Sequence, residues 1–160
     1  MLSPASRPAP SSCSCAGCAT GDHGSAAPWP GPAELADGSL AVATTAPGPA
    51  TVVVRAIGEI DLLTAPAWRR ALHAAADDLE STPVTPGRVP ELVCDLSPVS
   101  FLGASGLDVL VEIAEEVQHR SVGLRVVAPG RRVRRPLEIT GLDRHLRVEP
   151  RLDQVLTSVR

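Results

Sequence analysis

Asp95-Leu96-Ser97-Pro98-Val99-Ser100-Phe101-Leu102-Gly103-Ala104-Ser105-Gly106-Leu107 is the stretch that decides the fold. The run Glu91-Leu92-Val93-Cys94-Asp95-Leu96 is apolar enough to lie centrally in a sheet, buried on both faces. That strand ends at Asp95, and Val99 to Leu102 reads as a short apolar connection. Gly103, Ala104 and Ser105 are small and open a helix. The first N–H groups of a helix have no intrahelical partner, and the helix dipole is positive there. Small side chains leave that end uncovered, which suits the approach of a partner or an anion.

Working outward, the helix runs from Ala104 to about His119, with Leu107, Leu110, Val111, Ala114 and Val117 as its inner stripe. Asp108, Glu112, Glu115 and Glu116 form its wet face. Upstream, Leu40–Thr44 and Thr51–Ile57 read as two strands joined at Pro47-Gly48-Pro49. Gly58-Glu59-Ile60-Asp61 leaves the second strand, and Thr64 is placed to cap a helix to about Leu79. Trp68, Leu72, Ala75 and Leu79 recur on that helix at helical spacing. Downstream lie a strand over Val122–Ala128, a helix over Arg131–Thr140 stopped by Gly141, a short strand over Leu146–Val148 and a helix over Leu152–Val159. The order β-β-α-β-α-β-α-β-α implies an α/β domain with parallel neighbours, joined to an initial hairpin.

The composition changes near residue 39. Residues 1–38 are rich in Pro, Ala, Gly and Ser and show no structural period, so they are expected to be a disordered tail before a folded domain over 39–160. Aromatic residues make up only 2% of the 160, so the core must be aliphatic. A net charge of −3 argues against a chain built to coat nucleic acid. No apolar run reaches the roughly 20 residues of a membrane span, and the first residues lack the apolar region of a signal peptide. These features point to a cytoplasmic protein that does not insert into a membrane.

Taken together, Asp95, Leu96, Ser97, Val99, Phe101, Leu102, Ser105, Gly106 and Leu107 resemble the motif D-L-S-x-V-x-F-L-D-S-[ST]-G-L of the STAS domain of bacterial anti-sigma factor antagonists. Gly58-Glu59-Ile60-Asp61 is similar to that family's G-E-[LI]-D, and Thr140-Gly141-Leu142 is a third match. The matches fall in the expected order across residues 40 to 159. The resemblance implies a mixed sheet of four to five strands with about four helices. It also implies a binding module, with no catalytic residue and no cofactor, that engages an anti-sigma factor of the serine kinase type and so regulates sigma-factor-dependent transcription. In that family the kinase phosphorylates the serine of D-S and ends the binding. Here Gly103 and Ala104 stand at those two positions. The acceptor hydroxyl is absent, and Ser105, the next residue, is a poor substitute. The partner-binding residues implied are Asp61, Gly103, Ala104 and Ser105. Asp61 equally suits bonding the backbone of the loop that enters the first helix. The alternative reading is a STAS module without phosphoserine control, serving as a scaffold or accessory subunit of another complex.

Three further constellations carry less. Gly103-Ala104-Ser105-Gly106 resembles a nucleophile elbow, but Leu107 stands where G-x-S-x-G needs its last Gly. No base is assignable among His73, His119 and His145. Cys13, Cys15, Cys18 and His23 offer soft ligands with one C-x-x-C pair and no second pair, so no metal site is assigned to them. Cys94 reads as a reduced core residue. Arg131, Arg132, Arg134 and Arg135 read as the solvated start of a helix, with phosphate contact as the alternative.

Overall fold

The computed structural model describes residues 40–158 except 49, 84 and 85. The expected tail, with Cys13, Cys15, Cys18 and His23, lies outside the described residues. Six strands and four helices follow in the order β1 (Ala41–Gly48), β2 (Thr51–Ile60), α1 (Ala65–Ser81), β3 (Glu91–Asp95), β4 (Val99–Leu102), α2 (Ala104–His119), β5 (Gly123–Val127), α3 (Arg131–Thr140), β6 (Arg147–Glu149) and α4 (Leu152–Ser158). A single 3₁₀ turn, Leu142–Arg144, separates α3 from β6. The strands run β1-β2-β3-β5-β6 across the sheet. β1 is antiparallel to β2, and β3, β5 and β6 follow in parallel.

β2 is buried on both faces, which explains its unbroken apolar run. Val52, Val54 and Ala56 point into the main core with Leu92, Cys94, Leu96 and Val126. Trp68, Leu72 and Leu79 of α1 and Leu110 and Ile113 of α2 close over that face. Each such side chain contributes about 1.5–3 kcal/mol on burial. Val53, Val93 and Val127 point the other way and are covered by Val155 of α4. On this second face Arg125 grips Glu91 through Nε at 2.8 Å and a second nitrogen at 2.9 Å, and also donates to the Ser158 hydroxyl at 2.9 Å. The fork anchors α4 across β3 and β5. Cys94 is a fully buried free thiol, and burial together with the neighbouring Asp95 pushes it up to about 12.

Four sequence expectations are corrected. Val99–Leu102 is a strand rather than a connection, because the end of β2 outruns β3 and leaves its backbone groups open to pairing. The inner stripe of α2 is Gly106, Val109, Leu110, Ile113 and Val117, while Val111 is 36% exposed and Leu107 only partly buried. A glycine within the stripe concealed its true angle, since Gly106 carries no apolar side chain to mark the face. Thr64 makes no cap bond of its own to the helix. β1 extends to Gly48, beyond Thr44, with a bulge between Thr45 and Gly48. α3 ends at Gly141 as expected, with φ 74°. Among the described residues no helix is long and apolar enough to cross a membrane.

Candidate functional site

The site is built where β2 changes partners. Through Arg55 it pairs with β3, and from Gly58 onward with β4. The change falls at a bulge between Gly58 and Glu59, with Gly58 at φ 106°, a conformation costly for any residue with a β-carbon. The Gly58 N–H donates to the Pro98 carbonyl at 3.3 Å, and its own carbonyl accepts from the Ser100 hydroxyl at 3.1 Å. Asp95 holds the joint from the other side. Its buried carboxylate pairs with Arg55 Nε at 3.0 Å and accepts the Ser97 N–H at 3.0 Å. A buried carboxylate needs such partners; Arg55 ties it to β2 and Ser97 to the β3–β4 connection. The motif residues Gly58 and Asp95 are therefore framework.

This framework sets the ends of β2 and β4 side by side. The Gly103 N–H donates to the Ile60 carbonyl at 2.8 Å. A β-carbon at Gly103 would lie 3.2 Å from Phe101 Cε1 and 3.7 Å from Asp61 Cα. Gly106 packs against Ile60 again one turn later, and against Leu102. A β-carbon there would lie 2.5 Å from Leu102 Cδ1 and 2.8 Å from Ile60 Cγ2.

Asp61, Gly103, Ala104 and Ser105 are thus brought together on one lip. Ala104 is exposed, and Gly103 and Ser105 are half-buried. Gly103 is the N-cap and supplies no side chain to the turn. The Asp61 carboxylate accepts the N–H groups of Leu63 and Thr64 at 2.9 Å each, and the Thr64 hydroxyl accepts the Asp61 N–H at 2.9 Å. This reciprocal box closes the turn into α1. The Thr64 N–H and hydroxyl, with the Leu63 N–H, hold the half-buried Asp61 carboxyl below its usual range. Of the two roles expected for Asp61, the geometry displays the local backbone one.

Sequence reasoning missed the apolar part of the lip. Leu62 is 77% exposed, Leu63 85% and Phe101 51%. All three sit in or beside the two chain segments that meet at Gly103. Their signal was available: two leucines directly after a predicted strand end, and a Phe in a motif otherwise made of small residues.

The other face of α2 is more engaged than expected. Glu112 pairs with Arg69 at 2.9 Å and with His73 at 3.1 Å, and Glu116 meets both His73 and Arg120. Arg120 also reaches Asp77 and Glu80. This network clasps α2 to α1. His73 is committed to it, and none of the described hydrogen bonds joins a histidine to Ser105. A groove of about 600 Å³ lies elsewhere, between α2, β5 and the turn before β6, where Val111, Leu124 and Leu146 line it. None of the lip residues lines it. Among the described residues no group of His, Cys, Asp and Glu is arranged to hold a metal ion.

Comparison with known proteins agrees with this architecture. Residues 41–155 match the STAS domain family. The anti-sigma-F factor antagonist RsfB of Mycobacterium tuberculosis is 40% identical over 103 residues, covering 64% of this chain and 76% of that one. The crystal structure of an anti-sigma factor antagonist from Mycobacterium paratuberculosis superposes with a TM-score of 0.66 at 38% identity, covering 78% of this chain and 97% of that one. Bacillus SpoIIAA in its phosphorylated form shares the fold, with a TM-score of 0.56 at 19% identity over 75% of this chain and all of that one.

Proposed function

Because the chain belongs to the STAS domain family, we propose that it is an anti-sigma factor antagonist: a binding module, rather than an enzyme, that acts in the cytoplasm by occupying an anti-sigma factor. The observation that carries this reading is the lip. An uncapped helix start presents the exposed Ala104, and Leu62, Leu63 and Phe101 are exposed on the two segments that meet at Gly103. Exposed apolar groups clustered at one place are the usual mark of a protein interface. The small residues at the helix start let a partner backbone approach the free N–H groups of the first turn.

The partner proposed is an anti-sigma factor of the serine kinase type. The 40% identical relative is named as an antagonist of the anti-sigma-F factor. Ala104 stands where the family carries its phosphorylated serine, so binding here is not ended by phosphate at that position. Ser105 is no replacement. One residue further along a helix, a side chain points about 100° away. The antagonist is then controlled by its amount or by competing partners.

Ala104 also favours a second reading, in which the module is a constitutive scaffold or accessory subunit. One experiment separates them. Purified kinase-type anti-sigma factors from the source genome are titrated with wild type and with Ala104→Glu. The antagonist reading expects one of them to bind wild type and to lose the variant through clash and desolvation, with the variant's melting curve unchanged. Equal affinity for both proteins would remove the lip from consideration. Absence of any binding would move the scaffold reading ahead.

A further inference from the structure

The exposed face of α3 is built against its own stability. Arg131 and Arg132 occupy its first turn, where the helix dipole disfavours cations, and that turn contains no acidic residue. Arg131 and Arg135 are like charges four residues apart, a repulsive spacing. Pro136 sits inside the helix and removes a backbone hydrogen bond. Among the described residues only Arg134 of the four arginines has an ion-pair partner, Glu138 at 3.1 Å. Ile139 is 73% exposed on the same helix. The inward residues are Val133 and Leu137. Arg132, Arg135, Pro136 and Ile139 follow at spacings of three and four, so they form one outward stripe. A shallow open depression is lined by Arg131, Arg132, Arg135, Pro136 and Ile139.

A merely solvated helix start needs none of this. It would carry mixed charges and no bare isoleucine. Local rules broken together without local compensation mark a surface kept for something else. The chain as a whole is acidic, at −3, whereas this helix carries four arginines against a single glutamate and is locally basic. α3 packs alongside β4, the strand that carries Phe101.

We propose that this face of α3 is a second contact surface, for an acidic segment of the partner that carries an apolar side chain. The arginines meet its carboxylates, and Ile139 with Pro136 receives its apolar group. The proposal rests on the antagonist reading and adds to it the chemistry required of the partner. Charges at the rim of an interface act mainly on the rate of encounter. Loss of the arginines therefore slows association more than it speeds dissociation.

The test uses the full chain and the same purified anti-sigma factors, by surface plasmon resonance from 50 mM to 500 mM salt. The variants are the triple Arg131→Ser, Arg132→Ser, Arg135→Ser and the single Ile139→Ser, with Ala104→Glu as the control for the lip. We expect the triple variant to associate at least about tenfold more slowly at low salt, with the gap closing as salt screens the charges. Ile139→Ser should raise the dissociation rate at every salt concentration. All variants are solvent-facing and should melt with the wild type. If Ala104→Glu abolishes binding while the triple variant binds as wild type at low salt, the antagonist reading stands and the α3 surface is overturned. If no anti-sigma factor binds wild type, both fall. A wild-type chain that binds duplex DNA or phosphatidylserine vesicles through these arginines, with unchanged anti-sigma affinity in the triple variant, also overturns the proposal.

Discussion

The Gly103 N–H is hydrogen-bonded to the Ile60 carbonyl at 2.8 Å, so the first residue of the lip hangs from the last residue of the longest strand. One turn later Gly106 lies against Ile60 again. The position of α2 is set by how closely its backbone approaches that isoleucine.

Gly106→Ala is therefore expected to destabilise the domain. Alanine in a helix gains up to about 1 kcal/mol over glycine. Forcing a methyl into a filled core costs about 1–3 kcal/mol. The Leu102 Cδ1 contact is the tip of a flexible side chain, but the Ile60 Cγ2 contact at 2.8 Å belongs to a β-branched residue with little freedom. The second effect should win, by about 1–2 kcal/mol in urea unfolding. A variant as stable as wild type, or more so, would mean that α2 sits further from β2.

The rotation of α2 makes a paired prediction. Ile113 is 1% exposed and Val111 is 36% exposed. Ile113→Ala should cost about 2–5 kcal/mol, and Val111→Ala under about 1 kcal/mol. Denaturant midpoints of the two variants check this. Equal losses would restore the stripe that the sequence periodicity alone predicts.

Asp61 supplies a pH dependence. Its folded carboxyl titrates below the ordinary 3.8, because the Thr64 backbone N–H, then the Thr64 hydroxyl and the Leu63 N–H, bond the charged form. A lowered folded value adds stability that is present above the unfolded value and lost as pH falls through the folded one. Wild type should therefore exceed Asp61→Ala in stability at pH 6, with the gap narrowing as pH drops below 3.8. Parallel melting temperatures for the two proteins from pH 6 to pH 2.5 would show that the box contributes nothing.

Ala104→Ser restores a hydroxyl at the exposed start of α2. If the bound anti-sigma factor is an active kinase, mass spectrometry after incubation with ATP should find phosphate on this variant and not on wild type. Phosphate adds about −1.5 to −2 charge, and complexes of the variant should then dissociate on addition of ATP. Near-stoichiometric phosphate on Ser105 of wild type would overturn the assignment of Ala104 as the lost acceptor.

Much of the fold was legible because strong periods coincide with strong punctuation. β2 announces itself by Thr51-Val52-Val53-Val54, and α3 stops at Gly141 as glycine predicts. What escaped was set by tertiary contact. Val99–Leu102 is four residues long with two of them exposed, too short for a period, and becomes a strand only because β2 extends past β3. Asp61, Gly103, Ala104 and Ser105 were grouped by resemblance alone, and no local rule reveals that Asp61 and Gly103 are neighbours across 42 positions. Leu62 and Leu63 were passed over because a leucine pair beside a helix start looks like core until its exposure is known.

The ten residues of β2 serve two masters. Its first half is the spine of the sheet, and its second half carries β4 and the start of α2. There is no hinge between scaffold and recognition surface, since a single strand is both. A lip of this kind arrives at its partner already shaped, so little ordering entropy is lost on docking. The same stiffness removes one means of letting go: the lip cannot fold away without opening the sheet. On the proposed reading, with no hydroxyl at Ala104 to receive a charge, the protein would work as a fixed key, and the decision to release it would belong to whatever holds the lock.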